Sequence, residues 1–135
     1  MFYAQFDRLD EQLPSCREVA EVREQAALLA SALVSHARLE DELLFPAMAR
    51  ESADPGLIDA MEAEHAAIAD RLSRAQGTAD LVMARNELLE AVSLARDHFA
   101  KEERLAFPLA DELLGATVLR ELGAAWALRR DVFLA

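Results

Sequence analysis

An eleven-residue stretch occurs twice in this chain, 62 positions apart. His36-Ala-Arg-Leu-Glu40-Asp41-Glu42-Leu43-Leu44-Phe45-Pro46 aligns with His98-Phe-Ala-Lys-Glu102-Glu103-Arg104-Leu105-Ala106-Phe107-Pro108, a shared H-x3-E-[DE]-x-L-x-F-P. The surrounding residues favour helix almost everywhere. Ala, Leu, Glu and Arg dominate, with only four Gly and four Pro in 135 residues. A duplicated motif in a helical chain predicts a two-fold pseudo-symmetric bundle. The length and 53% hydrophobic content suit one domain over residues 1–135 with a real core.

Sparse breakers divide the chain into five helical segments. A short first helix covers 2–13 and ends at Pro14. Ser15 and Glu18 have capping-box spacing, which starts a long second helix near Cys16 that runs to about Arg50. Ser52–Gly56 reads as a loop, a third helix spans about 57–75, and Gln76-Gly77-Thr78 breaks it. The fourth helix runs from about 79 to 114, with Gly115 as its C-cap, and an extra helix covers about 117–133. Pro46 and Pro108 fall inside helical patterns and predict kinks.

Apolar periodicity orients these helices. Leu29, Leu33, His36, Glu40 and Leu43 form one stripe, and Ala91, Ala95, His98, Glu102 and Leu105 form its counterpart. The third helix presents Ile58, Met61, His65, Ile68 and Leu72. All three histidines of the chain, and two glutamates, therefore sit on core-facing stripes. A carboxylate there needs a proton, a counter-charge or a metal, because desolvating a lone charge is strongly unfavourable. His and Glu at i and i+4 share one helix face and converge on one point between helices. Imidazole nitrogen with carboxylate oxygen suits iron, manganese or zinc. A carboxylate from each half suits two bridged metals. Glu62, three residues before His65, is a further donor of the Glu-x-x-His kind found in di-iron bundles. Asp41, Glu42 and Glu103 fall off the stripes, as surface acids or as groups that orient a histidine.

With these residues in view, the sequence resembles the hemerythrin-like family, the HHE cation-binding domain, over about residues 1–113. The resemblance implies an antiparallel four-helix bundle around a non-haem di-iron centre. It assigns His36, His65 and His98 as terminal ligands and Glu40 and Glu102 as bridging carboxylates. Two departures stand out. Position 69, one turn beyond His65, is Ala, and the first helix has no histidine. The repeat offset carries His65 onto Tyr3, whose phenolate is a competent ligand for ferric iron. A one-residue slip would place Phe2 there, and Asp7 is the next oxygen donor along that helix.

Fewer imidazoles make a harder site with open positions, suited to binding or reacting with O2, peroxide or NO, or to sensing iron and oxygen, rather than to oxygen carriage. The alternative is a helical interaction or regulatory module with a degenerate or non-iron site. Val118, Leu122, Trp126 and Phe133, beside Arg129 and Arg130, give the extra helix an apolar face that caps the bundle or forms a homodimer. The formal charge of −11 opposes nucleic acid or anionic membrane as partners. A single cysteine, no leader-like start and no bilayer-length apolar run suggest a cytoplasmic protein. No Ser-His-Asp arrangement or Gly-rich phosphate loop is present, and Cys16 has no histidine near it in sequence.

Overall fold

Helices account for nearly all of the chain in the computed structural model, which describes residues 2–51 and 54–134, with side chains to residue 128. In order they are α1 (Phe2–Gln12), α2 (Val19–Leu39), α3 (Phe45–Arg50), α4 (Pro55–Gly77), α5 (Leu81–Lys101) and α6 (Phe107–Leu134). Asp54 and Asp80 cap α4 and α5, accepting from the backbone N–H of Gly56 and Met83. The capping box at Ser15 does not form. Pro14 sits in a 3-10 turn, Leu13–Ser15, and the Ser15 hydroxyl donates back to the Gln12 carbonyl at 2.8 Å. The hydroxyl is thereby committed to the end of α1, and α2 begins only at Val19. Ser52 and Ala53 of the predicted loop lie outside the described residues.

The two predicted kinks take one particular form. Between α2 and α3, Glu40–Leu44 is a π-helical turn, and between α5 and α6 so is Glu102–Ala106. In each, the N–H of the phenylalanine reaches back five residues, Phe45 to the Glu40 carbonyl and Phe107 to that of Glu102. Pro46 and Pro108 follow directly. A proline ring clashes with the carbonyl four residues back, and widening the preceding turn relieves that clash. The repeated sequence thus makes a repeated backbone feature, and each π-turn opens at the motif glutamate.

Two apolar layers lie on either side of those turns. One gathers Phe6, Leu9 and Leu13 of α1 with Val22, Leu29, Leu72 and Leu88 of the long helices. The other gathers Phe45, Met48, Ile58, Met61 and Ala110, with Leu119 and Leu122 against them. Each fully buried large side chain in these layers contributes about 1.5–3 kcal/mol. Arg23 and Arg85 close the first layer's end, donating to the carbonyls of Gln76 and Pro14.

Because α1 has only eleven residues, it covers one layer and not the other. The second is covered by the chain after Gly115, where φ of 75° and ψ of 170° turn it back on itself. Those angles suit glycine alone among common residues. The returning segment lays Leu119, Leu122 and Trp126 beside Phe107 and Ala110. The two half-length walls meet at His36, which has the Phe2 ring 5.6 Å away on one side and Trp126 at 5.0 Å on the other. The described part of the extra helix therefore caps the bundle. The Phe133, Arg129 and Arg130 side chains of its predicted face lie outside the described residues.

Candidate metal centre

Between the two apolar layers lies a polar one. Glu40 and Glu102 open the two π-turns and are completely buried, and His98, one turn before Glu102, is 2% exposed. α4 adds His65 from the facing stripe. One ligand atom each from Glu40, His65, His98 and Glu102 lies within 4.8 Å of all the others. His98 Nε2 is 2.7 Å from Glu102 Oε1, and His65 Nε2 is 3.4 Å from Glu40 Oε1 and 4.0 Å from Glu102 Oε1. The two imidazole Nε2 atoms stand 2.9 Å apart. Donors about 2.1 Å from a common ion are separated by distances of this order.

The far sides of the rings decide what the near sides offer. His65 Nδ1 lies 3.0 Å from Asp41 Oδ1, and His98 Nδ1 lies 2.9 Å from Glu64 Oε1. A carboxylate only accepts, so each Nδ1 carries the proton and donates. That leaves Nε2 of both rings aimed inward as a lone pair. At most one proton fits between two nitrogens 2.9 Å apart. All four oxygens of Glu40 and Glu102 are buried, and apart from the 2.7 Å approach of His98 Nε2 to Glu102 Oε1 they have no close polar donor among the described residues. The centre is thus a nest of acceptors that only positive charge reconciles. This is the arrangement of a carboxylate–histidine–metal site.

Protons fill part of that need in the metal-free chain. Burial first, and then the adjoining Glu102 carboxyl, pushes Glu40 up to about 10. Burial favours neutral His98, but Glu102 and Glu64 outweigh it and raise the imidazole above its ordinary value. Lys101 Nζ donates to Glu64 Oε2 at 2.7 Å. Burial alone would raise Glu64, yet hydrogen bonds from Lys101 and His98 hold it below its ordinary value. Glu64 therefore stays ionised as the partner of His98.

The other predicted residues stand apart from the four. His36 Nε2 is 3.4 Å from Glu40 Oε1, on the same layer, but its side chain is 25% exposed. Glu62 is exposed on α4. Tyr3 is 37% exposed, with Phe6 and Phe99 against its ring. Partial burial, then the Glu103 carboxylate against its hydroxyl, raises the phenol above its ordinary value. Asp7 pairs with Arg96 at 2.9 Å. Of the off-stripe acids, Asp41 orients His65, while Glu42 lies 3.9 Å from Arg38 at the surface.

The repeat offset explains this asymmetry. It carries His98 onto His36, Glu64 onto Phe2, and His65 onto Tyr3. The carboxylate that orients His98 is replaced by a phenyl ring at His36. Asp41 beside His65 has its counterpart in Glu103 beside Tyr3. An imidazole has a second nitrogen to turn inward, whereas a phenol has one oxygen, which here faces Glu103.

A family profile described as the hemerythrin HHE cation binding domain matches residues 1–110. The chain belongs to the hemerythrin HHE family. It is an all-α, hemerythrin-like helical bundle in which Glu40, His65, His98 and Glu102 form a group able to bind a metal ion. The family match ends before Gly115 and the returning helix. No curated protein and no solved structure matches the chain. The hemerythrin-like bundle has no described helix long and apolar enough to cross a membrane.

Glu64 lies outside the motif and Lys101 at one of its variable positions, so neither carries a signal, and Trp126 is marked only as part of the extra helix's apolar face. Glu64 precedes a stripe histidine by one position, and such a residue points to a neighbouring helix. Only the repeat offset, extended from His98 and His36 to their flanking helices, would have paired Glu64 with Phe2.

Proposed function

We propose that this hemerythrin-like chain is a cytoplasmic non-haem iron protein that binds or reacts with small oxidants: O2, peroxide or NO. The proposal assigns Glu40, His65, His98 and Glu102 to one metal position and adds His36, sharing Glu40 and Glu102, as the end of a second. Tyr3 and Glu62 are left out of the ligand set because of where their side chains stand. The observation that carries this reading is the inward turn of both Nε2 atoms, with Asp41 and Glu64 on the far sides of the rings, toward two buried carboxylates.

Iron, when bound there, supplies positions at which a small oxidant can bind or exchange electrons. The chain's own residues supply the rest. Asp41 and Glu64 keep the Nδ1 protons, so the rings present lone pairs inward. Lys101 keeps Glu64 ionised. The apolar layers on both sides exclude water and strengthen every charge interaction between them.

That Glu40, His65, His98 and Glu102 form one cluster while His36 is 25% exposed favours a second reading, in which a single zinc or manganese ion serves a regulatory module. Anaerobic loading of untagged protein with ferrous iron, followed by NO, separates the two. The iron reading expects about two irons per chain and an NO-dependent visible absorption that His98→Ala abolishes. One metal per chain and no response to NO would favour the module.

A further inference from the structure

A cavity of ≈ 410 Å³ reaches from the metal layer to the surface between α2 and α4. Its inner end is formed by the rings of His36, His65 and His98. Its walls are Leu33, Val34, Ile68 and Phe99. The space exists because the residues that close the gap are small: Ala37 on α2, Ala66 and Ala69 on α4, and Ala95 on α5. A diatomic ligand needs about the room of one water, roughly 30 Å³, whereas an apolar cavity of about 150 Å³ accepts benzene. The volume here far exceeds the former. It falls within the range of sites that hold small organic molecules.

The charges select among such molecules. Among the described lining residues the carboxylates Asp41, Glu42 and Glu62 outnumber the one cation, Arg38, so an anion meets net repulsion. Asp41 is engaged by His65, and Glu42 stands beside Arg38. Among the described lining residues no carboxylate is buried on the apolar walls to pair an ammonium group, which would lose its hydration uncompensated. A neutral molecule avoids both penalties. The phenyl ring of Phe99 and the imidazoles at the inner end favour a flat aromatic partner in edge or offset contact.

We propose that this cavity is a binding site for a neutral single-ring aromatic molecule, held beside the metal position. The inference takes its location from the metal reading, but the cavity itself belongs to the chain without metal. It makes the oxidant site one that works next to an organic molecule.

Fluorobenzene is the probe, followed by fluorine NMR with metal-free and zinc-loaded protein. Saturable binding is expected, with a dissociation constant on the order of 1 mM, in both forms. Leu33 and Ile68 methyl resonances shift on the same titration. Ala69→Phe fills the cavity and weakens binding by at least about tenfold while leaving zinc content unchanged. 4-Fluorobenzoate and 4-fluorobenzylamine bind more weakly than fluorobenzene. Non-saturable broadening, methyl shifts elsewhere in the molecule, or equal binding by Ala69→Phe would overturn the site. Tighter binding of either charged analogue would overturn the ligand class. The methyl shifts decide the matter in the unaltered protein should Ala69→Phe not fold. Zinc uptake without fluorobenzene binding refutes this inference alone. Fluorobenzene binding by protein that takes up no iron, zinc or manganese refutes the metal reading alone.

Discussion

Glu64 on α4 meets His98 on α5 across 2.9 Å, and at the matching place in the other half of the repeat Phe2 lies against His36. This change of side chain, together with Tyr3 in the place that matches His65, makes the two halves of the repeat chemically unequal. His98 is buried, tautomer-fixed and tied through Glu64 to Lys101. His36 has the rings of Phe2 and Trp126 and the Glu40 carboxylate beside it.

Glu64→Gln tests that relationship. The amide is similar in size but carries no charge, so it neither holds the Nδ1 proton as firmly nor attracts Lys101. Metal affinity falls by about 10–100-fold, the usual effect of losing a group that orients a ligand. Competition with a chelator measures it. Unchanged affinity would show that His98 needs no orienting partner.

Glu40 carries the conflict between stability and metal binding. In the unfolded chain its carboxyl titrates at the ordinary 4.5, and in the metal-free fold at about 10. Its contribution to stability is therefore complete below about 4.5 and disappears as pH rises through about 10. His98, also raised, acts in the same direction over its own range. Metal-free protein should melt at a lower temperature at pH 9 than at pH 6. Glu40→Gln, which has no carboxyl to ionise, should flatten that slope and match or exceed the wild-type melting temperature at pH 9, while losing metal. Calorimetry across pH checks both. An equally steep slope in Glu40→Gln would refute the assignment.

How much of this was legible beforehand follows from what each residue depends on. The helices, the stripes and the five residues of the two His-Glu pairs plus His65 depend on local spacing, which a sequence displays directly. The π-turns depend on proline chemistry that was visible at Pro46 and Pro108, although a kink was the most it predicted. Ser15 matched a capping pattern that also served the preceding helix, and spacing does not say which of the two uses the hydroxyl. Glu64 and Lys101 act across helices, so they become visible only once the packing is known, whereas Trp126 stood out as part of an apolar capping face but not as a neighbour of His36.

Tyr3 depends on the same limit. The repeat offset located its position relative to His65, but not that Glu103 would face its one oxygen. Tyr3→Phe should leave metal content and the visible spectrum of iron-loaded protein unchanged. A lost absorption band or lost iron would restore the phenolate to the ligand set.

Gly115 and Trp126 report on the returning helix. At φ 75° and ψ 170°, Gly115→Ala introduces strain of about 1–3 kcal/mol. Relief comes most readily by unpacking the helix it redirects. Trp126 is the sole tryptophan and lies 5.0 Å from the His36 ring, so iron should quench its fluorescence in the wild type. In Gly115→Ala the emission should shift to the red and the quenching weaken. Identical spectra would show that the helix holds its place by other means.

The central claim is that Glu40, His65, His98 and Glu102 form a metal site and that the fold is under tension without the ion. Titration of metal-free, untagged protein with ferrous iron under anaerobic conditions, read by melting temperature and bound metal together, tests it most directly. At metal a hundredfold above the dissociation constant, linkage stabilises the fold by about 2.7 kcal/mol, a rise of about 10 °C for a chain of this size. The account predicts that rise in the wild type, with saturable iron uptake, and neither in His98→Ala. A wild-type protein that takes up no iron, zinc or manganese and melts at the same temperature with and without them would contradict it.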